Sequence, residues 1–588
     1  MQLFLNNLKN ELYPYLQTLV EEDVRQVALH FELTNPEHQG NLTLLVFPLA
    51  KMAKKNPEEM AHVLGKWMVD MEVAASYEVI KGFLNINLSA KSWHEINSNL
   101  LKIEKVQNSE TIVLEYCGPN TNKPLHIGHL RNLFLGFSMG RILQEAGHSV
   151  HKVNINNDRG IAICKSLIAY QLYGNGATPD SVGKKGDHFV GDYYVKFAEV
   201  LKAQIEEGIA KGLDKKTAEK QAPITQANEE LLRKWENGDN ETIALWQKMN
   251  GWVYDGFKTT FDELEIDFEK EYYESQEYLN GKEIVQAGYE KGVFKKDETG
   301  AFLIDLTAEG LDEKIVQRAD GTSIYITQDL ALIKKRYDDF KMDRMIYVVA
   351  DEQNYHFKVL QGICKALDMD FSKSIHHMSY GMVVSKDGSK FKSREGTAVD
   401  ADDIIAATIE EAKKQTMASG KANHFSEEYL QELSKIIGLG ALRFGMLKVN
   451  LKKSIPFDPA ESVDMQGDTG TFVQYSFVRT QAILNKENYT FSPSEIPASM
   501  EKEEKDLLIH IAQFNKVLHL AASQYDPTEI AQFVLTLAKL FNRFYTKHQI
   551  LNVEDPNCKN FRLYLTYVSN FFIQKSLYLL GIKSPEKM

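Results

Sequence analysis

The chain has 588 residues, 43% of them hydrophobic and 25% charged, the composition of an ordinary globular protein of about three or four domains. A net charge of −13 argues against a protein that grips nucleic acid non-specifically with its whole surface. Cys117, Cys164, Cys364 and Cys558 lie far apart with no Cys-x-x-Cys pair, which disfavours a zinc site or disulfide framework and fits a reducing cytosol; neither a signal peptide nor a membrane span is predicted.

Residues 1 to about 105 read as a small separate module. Leu5, Leu8, Leu12, Leu16 and Leu19 form a helical stripe. Residues 77–88 alternate like strands around a Gly turn. The polar stretch 102–110 reads as a linker.

The most informative segment follows. Ile112-Val-Leu114 predicts a buried strand, then come a Gly-Pro-Asn turn, Pro124 and His126-Ile-Gly-His129. Leu130, Leu133, Phe134, Phe137 and Ile142 recur at helical spacing after it. The free N–H groups of such a helix start make an anion site. Gly128 lets a flat base or phosphate approach the backbone, and His126 and His129 can donate to phosphate oxygens. Alone, two such histidines are more often ordinary surface or core residues; the strand before and the helix after give them their meaning. Val150–Ile155 predicts the next strand, ending in Asn156-Asn-Asp-Arg-Gly160. In an open parallel sheet both loops would share one rim at the carboxyl ends of the strands.

Residues 175–295 are polar and mostly helical by pattern, an insertion between sheet halves. The sheet is expected to resume at 302–306 and 323–327, with a further strand at 344–350, a helix at 356–367 and a strand at 375–384. That last strand runs into a loop carrying Lys386, Lys390, Lys392 and Arg394 around Gly388 and Gly396. By itself this is most often a solvated charged loop; paired with the histidine turn it suits a triphosphate whose charge shifts during reaction. Beyond about 430 the pattern is helical, with Ile530, Phe533, Val534, Leu537, Phe541 and Phe544 on one stripe. Residues 505–588 carry ten Lys/Arg against six Asp/Glu, opposite in sign to the whole.

Together these blocks resemble the arginyl-tRNA synthetases, a family of class I aminoacyl-tRNA synthetases. The resemblance rests on Glu115…Pro119-Asn120…His126-Ile-Gly-His129-Leu-Arg, Asp320-Gly-Thr…Tyr325-Ile-Thr-Gln-Asp329 and Tyr347-Val-Val-Ala…Gln353…His356. The Lys390-Phe-Lys-Ser-Arg-Glu-Gly loop, Val473-Gln-Tyr475 and the ending Leu580–Met588 add to it. It implies an α/β multidomain protein: a Rossmann-type parallel-sheet catalytic domain with a helical insertion, a small α+β N-terminal domain and an all-α C-terminal domain. The implied boundaries are 1–105 (tRNA elbow), 111–430 (catalytic, insertion about 175–295), 431–454 (connecting helices) and 455–588 (anticodon binding).

The resemblance further implies an arginine–tRNA ligase. Arginine's carboxylate attacks the α-phosphorus of ATP, releasing pyrophosphate, and a terminal ribose hydroxyl of tRNA(Arg) then takes the arginyl group. His126, His129 and the lysines Lys386, Lys390 and Lys392 would be catalytic. Pro124, His126, Gly128, His129, Gly381, Met382, Val383 and Lys390 would bind ATP. Glu115, Asn120, Tyr325, Asp329 and Gln353 would bind arginine, with Asp329 at the guanidinium and Glu115 at the α-ammonium. Asn85, Gln474, Tyr475 and Met588 would touch tRNA. ATP would come with Mg2+, with no resident metal or organic cofactor, in a cytoplasmic monomer whose arginine activation needs bound tRNA. Two departures stand out: the lysine motif reads Lys390-Phe-Lys-Ser-Arg rather than Lys-Met-Ser-Lys-Ser, leaving open which lysine meets the phosphates, and Gln474-Tyr-Ser-Phe477 replaces Gln-Tyr-Ala-His. The cysteine enzyme of the same class, a nucleotidyltransferase that ignores tRNA, and a non-catalytic tRNA-binding paralogue are the alternatives.

Overall fold

The computed structural model describes residues 1–35, 37–277, 280–319, 324–385, 399–418, 420, 425–491, 496–497 and 499–588. The chain divides into two compact units. One comprises Met1–Lys105 with Asp464–Gln524 and Glu529–Met588; the other comprises Val106–Val463 with Tyr525–Thr528.

In the first unit, β1 (Phe31–Leu33), β2 (Leu42–Leu45), β3 (Ala74–Ile80) and β4 (Phe83–Leu88) form an antiparallel sheet of order β1-β2-β4-β3. The β3–β4 turn holds Gly82 at φ +80°, the left-handed conformation that glycine adopts without strain. Helix Gln2–Gln17 buries Phe4, Leu8, Leu12 and Leu16, so the leucine stripe faces inward. The rest of the unit is helical, from Gly470–Lys486 to Pro556–Leu579. The stripe from Ile530 to Phe544 is core: all six of its residues are buried. Asn515 ties the helices to the end of the N-terminal module, donating to Lys102 O at 2.8 Å and accepting from Glu104 N at 3.1 Å.

The second unit is built on a five-stranded parallel sheet of β5 (Thr111–Glu115), β6 (Ser149–Asn156), β7 (Lys270–Tyr273), β11 (Arg344–Ala350) and β12 (Ile375–Tyr380), in the order β12-β11-β5-β6-β7. Ile112, Val113 and Leu114 are buried, as expected of a central parallel strand covered on both faces. Helix Ile127–Ala146 follows β5 and ends at Gly147, φ +109°. It packs so close to the end of β5 that a Cβ at Gly136 would lie 2.2 Å from the Tyr116 ring. Strand order reverses between β5 and β11, and the crevice outside their carboxyl ends is where ligands of such sheets bind.

Two stretches fold differently from what their sequence predicts. Residues 302–306 do not rejoin the main sheet: β9 (Phe302–Ile304) lies between β8 (Lys295–Lys296) and β10 (Lys314–Gln317) in a separate antiparallel sheet. The expected strand at 323–327 is instead a helix from Tyr325 to Phe340. Its β-branched start reads as strand, but Ile326, Leu330 and Ile333 line one buried face at helical spacing, and tertiary packing overrides propensity. The insertion also supplies β7, a sheet strand the sequence did not signal. β13 (Val383–Val384) pairs in parallel with β14 (Ile455–Pro456).

Candidate active site

A cleft of about 730 Å³ opens at this switch point, lined by Glu115, Gly118, His126, Gly128, His129, Asn132, Tyr325, Asp329, Gln353, His356, Tyr380, Met382 and Val383 among others. The loop between β5 and the first helical turn is stitched to the end of β6. Asn154 accepts from Gly118 N at 3.1 Å, and Asn157 donates to Gly118 O at 3.0 Å and to Pro119 O at 2.9 Å. Asp158 is held in turn by Ser275 N and Oγ at 2.9 and 2.7 Å and Tyr254 Oη at 2.9 Å. The two loops do share one rim.

The histidine turn caps itself. Nδ1 of His126 accepts from Gly128 N at 3.1 Å, and Nδ1 of His129 accepts from His126 N at 3.0 Å. This is a reciprocal capping box built from imidazoles. A ring nitrogen that accepts a backbone N–H carries no proton, so in the neutral ring the proton is on Nε2. Burial holds the His126 imidazole down at about 4, with Lys123 adding to it, and burial lowers His129 well below the ordinary range. The pair therefore stands as two neutral Nε2–H donors.

Two residues just after the motif, Arg131 and Asn132, neither given a role by the sequence reading, hold the cleft walls. Buried Arg131 donates to Gly381 O, to Lys453 O at 2.9 Å and to Leu451 O at 3.0 Å. Asn132 accepts from Cys117 N at 2.5 Å and donates to Val348 O at 2.7 Å and Tyr380 Oη at 3.0 Å. It joins the ends of β5, β11 and β12 to the histidine helix. The available signal was a polar pair, Arg131-Asn132, placed inside the apolar run of the helix's first half.

On the opposite wall, Glu115 is ion-paired with the fully buried Arg336. The guanidinium lies over the rings of Tyr272 and Tyr347, 5.1 and 5.7 Å from their centroids. Burial raises the Glu115 carboxyl and the Arg336 charge opposes that rise. Asp329 Oδ2 meets His356 Nε2 at 2.5 Å. Burial lowers the His356 imidazole, but the Asp329 hydrogen bond and charge outweigh it and raise it overall. Tyr325 is 80% exposed at the start of its helix and faces the cleft.

Not every expected residue is brought here. Asn120 is exposed and bridged to Asn157, Pro124 packs on Gly191, and Gly381 is buried against Lys453; none of the three lines the cleft. Lys386, Lys390 and Lys392 lie outside the described residues. In the other unit, Asn85 is buried and accepts from Thr43 Oγ1 at 2.7 Å. Gln474 is buried and donates to Lys583 O at 2.9 Å. Tyr475 and Met588 are half-buried, and the Arg479 guanidinium lies 4.9 Å from the Tyr475 and Tyr545 ring centroids.

A parallel sheet with a self-capped histidine turn at its switch point is a nucleotide-binding arrangement of the kind the class I resemblance implies. Residues 94–458 match the model of the tRNA synthetases class I (R) catalytic domain, and residues 473–588 match the DALR anticodon binding domain. The chain is 43% identical over 584 residues to the arginine–tRNA ligase of Parabacteroides distasonis, covering 97% of this chain and 98% of that one. It is 44% identical over 600 residues to that of Amoebophilus asiaticus, covering 99% of each. The solved arginyl-tRNA synthetase of Thermus thermophilus shares the fold at TM-score 0.80 and 23% identity, covering 98% of this chain and 100% of that one. That of Plasmodium falciparum does so at TM-score 0.75 and 18% identity, covering 98% and 99%. The chain thus belongs to the class I tRNA synthetases, and within them to the arginine–tRNA ligase family.

Proposed function

We propose that the chain activates L-arginine with ATP and transfers the arginyl group to the 3′-terminal ribose of tRNA(Arg). The observation that carries this reading is one cleft with two neutral Nε2–H donors on one side and the Asp329 carboxylate on the other. The donors suit phosphate oxygens, and the carboxylate suits a planar guanidinium with its fork of N–H groups.

In this reading ATP enters as its magnesium complex and lies over Gly128, with Met382 and Val383 beside the base. The His126 and His129 Nε2–H groups donate to phosphate oxygens as charge builds on them during attack by the arginine carboxylate. Because the rings are neutral and locked by backbone hydrogen bonds, they stabilise that charge without reorganising. Lys386, Lys390 and Lys392 supply positive charge for the departing pyrophosphate. Asp329 takes the guanidinium, with Tyr325 and Gln353 bordering it. Glu115, its charge shared with Arg336, accepts from the α-ammonium. Asn120 carries no share of the pocket. Neither step calls for a protein nucleophile; positioning and charge stabilisation perform both.

For tRNA, residues 1–105 contact the elbow and 455–588 the anticodon. Tyr475 and Met588, both half-buried, are the direct contacts in this reading, whereas the buried Asn85 and Gln474 act by shaping the backbone around them. No helix among the described residues is long and apolar enough to cross a membrane. The enzyme is proposed to act as a cytoplasmic monomer. Charging of total tRNA with each labelled amino acid tests the reading. Arginine alone should be incorporated; incorporation of another amino acid, or of none, contradicts it.

A further inference from the structure

Outside the cleft, a cluster of charged side chains lies where the insertion meets the segment Val399–Asp402. That segment is strapped to the histidine turn by backbone. Ile127 N donates to Val399 O at 3.2 Å, Ala401 N donates to Leu125 O at 2.9 Å, and Asp400 forms a bridge with His126. The strap also begins helix Ala401–Ala418, and Asp400 Oδ1 accepts from Asp402 N at 2.9 Å.

The side chains that hold the strap come from the start of helix Gly186–Ala210. Lys185 Nζ donates to Asp402 Oδ2 at 2.6 Å, to Thr260 Oγ1 at 2.5 Å and to Asp187 Oδ2 at 3.2 Å. His188 Nε2 meets Asp402 Oδ2 at 2.8 Å, and its Nδ1 lies 3.4 Å from Asp400 Oδ2. Thr260 Oγ1 completes the set, donating to Asp402 Oδ1 at 3.0 Å. The helix start is itself pinned to helix Asn240–Glu263. A Cβ at Gly256 would lie 2.4 Å from Asp187 Oδ1, and one at Gly186 would lie 1.9 Å from Trp252 O. Asp187, His188 and Asp402 have the donors for a metal ion, but the Lys185 ammonium already stands among them and supplies the positive charge.

We propose that Lys185 and His188 are positioning residues for the nucleotide site: they clamp the Val399–Asp402 strap against Leu125–Ile127 and so fix the turn that carries His126. The inference rests on reading that turn as the nucleotide site. The clamp acts through the strap and touches no reacting atom. It ties the insertion to the adenylate-forming turn and leaves the arginine wall, built on Glu115 and Asp329, untouched.

The test uses the full chain with Lys185→Met, His188→Ala and the conservative Lys185→Arg. Hydrogen–deuterium exchange of peptides covering 125–130 and 399–404 reads the strap directly, whatever the substrate. Equilibrium binding of ATP and the kinetics of arginine-dependent pyrophosphate exchange, measured with total tRNA present, read its consequence. The expected result is lost protection of the Ile127 and Ala401 amides, an ATP affinity or kcat/KM for ATP at least tenfold lower, an arginine KM within about twofold of the parent, and recovery in Lys185→Arg. Retained protection, or lost protection with unchanged ATP affinity and kinetics, overturns the proposal, as does an equal rise in both KM values. Should Lys185→Met fail to fold because Asp187 is left buried and unpaired, His188→Ala decides alone. If the parent protein shows no arginine-dependent exchange, the functional reading has failed, while exchange protection and ATP binding still judge the clamp.

Discussion

The backbone N–H of His126 donates to Nδ1 of His129 at 3.0 Å, and this one bond fixes the tautomer, the orientation and the charge state of the second signature histidine. The ring is a structural cap and a ligand donor at once: its inner nitrogen is consumed by the fold, and its outer N–H is what remains for a phosphate.

His129→Asn should therefore differ from His129→Ala. Asparagine's amide oxygen can stand in for Nδ1, keeping the cap that is worth about 1 kcal/mol, while its NH2 replaces Nε2–H imperfectly. The expected order of kcat in pyrophosphate exchange is parent, then Asn, then Ala, with Ala down about 10²- to 10³-fold. Burial sets both imidazoles below the unfolded value of 6.5, His126 at about 4. They contribute stability that is present above about pH 6.5 and lost as the pH falls toward 4. Melting curves of the parent should show this acid-side loss, and His126→Gln should reduce it.

Removing Arg336 alone should be costly. Arg336→Met leaves Glu115 buried without its counter-charge, so that it is either an uncompensated charge or forced to take a proton, a loss of about 3–5 kcal/mol, read as a Tm lower by several degrees. Glu115→Gln/Arg336→Met should melt above the single Arg336→Met variant, because the second change removes the orphaned charge. A double variant no better than the single would show that the pair is not coupled.

Arginine affinity should improve as the pH rises through neutrality. The Asp329 partnership raises His356 above 6.5 despite burial, so the ion pair stabilises the fold below 6.5 and is lost as the pH rises through the raised value. While it exists, imidazolium occupies one oxygen of the carboxylate that the guanidinium needs and repels its charge. Arginine Kd measured by calorimetry should fall from pH 6 to pH 8.5, and His356→Gln should flatten the profile. Asp329→Asn should weaken arginine about 100-fold or more, since the guanidinium then loses the carboxylate proposed to pair with it.

At the helical end, Tyr475→Ala should raise the Kd for tRNA(Arg) about tenfold in fluorescence anisotropy, the order expected for loss of one base-stacking ring. Arg479, lying over the same ring, should have a comparable effect when changed to Ala.

Much of the catalytic unit was legible because its signals are local. Ile112–Leu114 is continuous apolar strand, and the histidine turn separates it from a helix of regular apolar spacing. The arginine wall was less so. Arg336 and His356 look like ordinary polar helix residues in sequence, and only long-range folding sets one against Glu115 and the other against Asp329. β7 escaped because its Lys-Glu-Tyr-Tyr sequence buries one side chain, Tyr272, too few for an alternation to show at a sheet edge. The β-branched neighbours of Tyr325 favour a strand in sequence, although its place in the cleft does not depend on that. The exposed Asn120 and the buried Asn85 and Gln474 show the reverse limit: a family motif marks a position without saying which way its side chain points.

This cleft is proposed to activate arginine, and to do so with tRNA in place. ATP–pyrophosphate exchange measured with each standard amino acid, with and without total tRNA, is the test. Exchange with arginine alone, appearing only when tRNA is present, is the predicted result. Exchange with another amino acid would contradict the Asp329 pocket, full-rate exchange with arginine in the absence of tRNA would contradict the coupling, and no exchange from folded protein would contradict the activity itself.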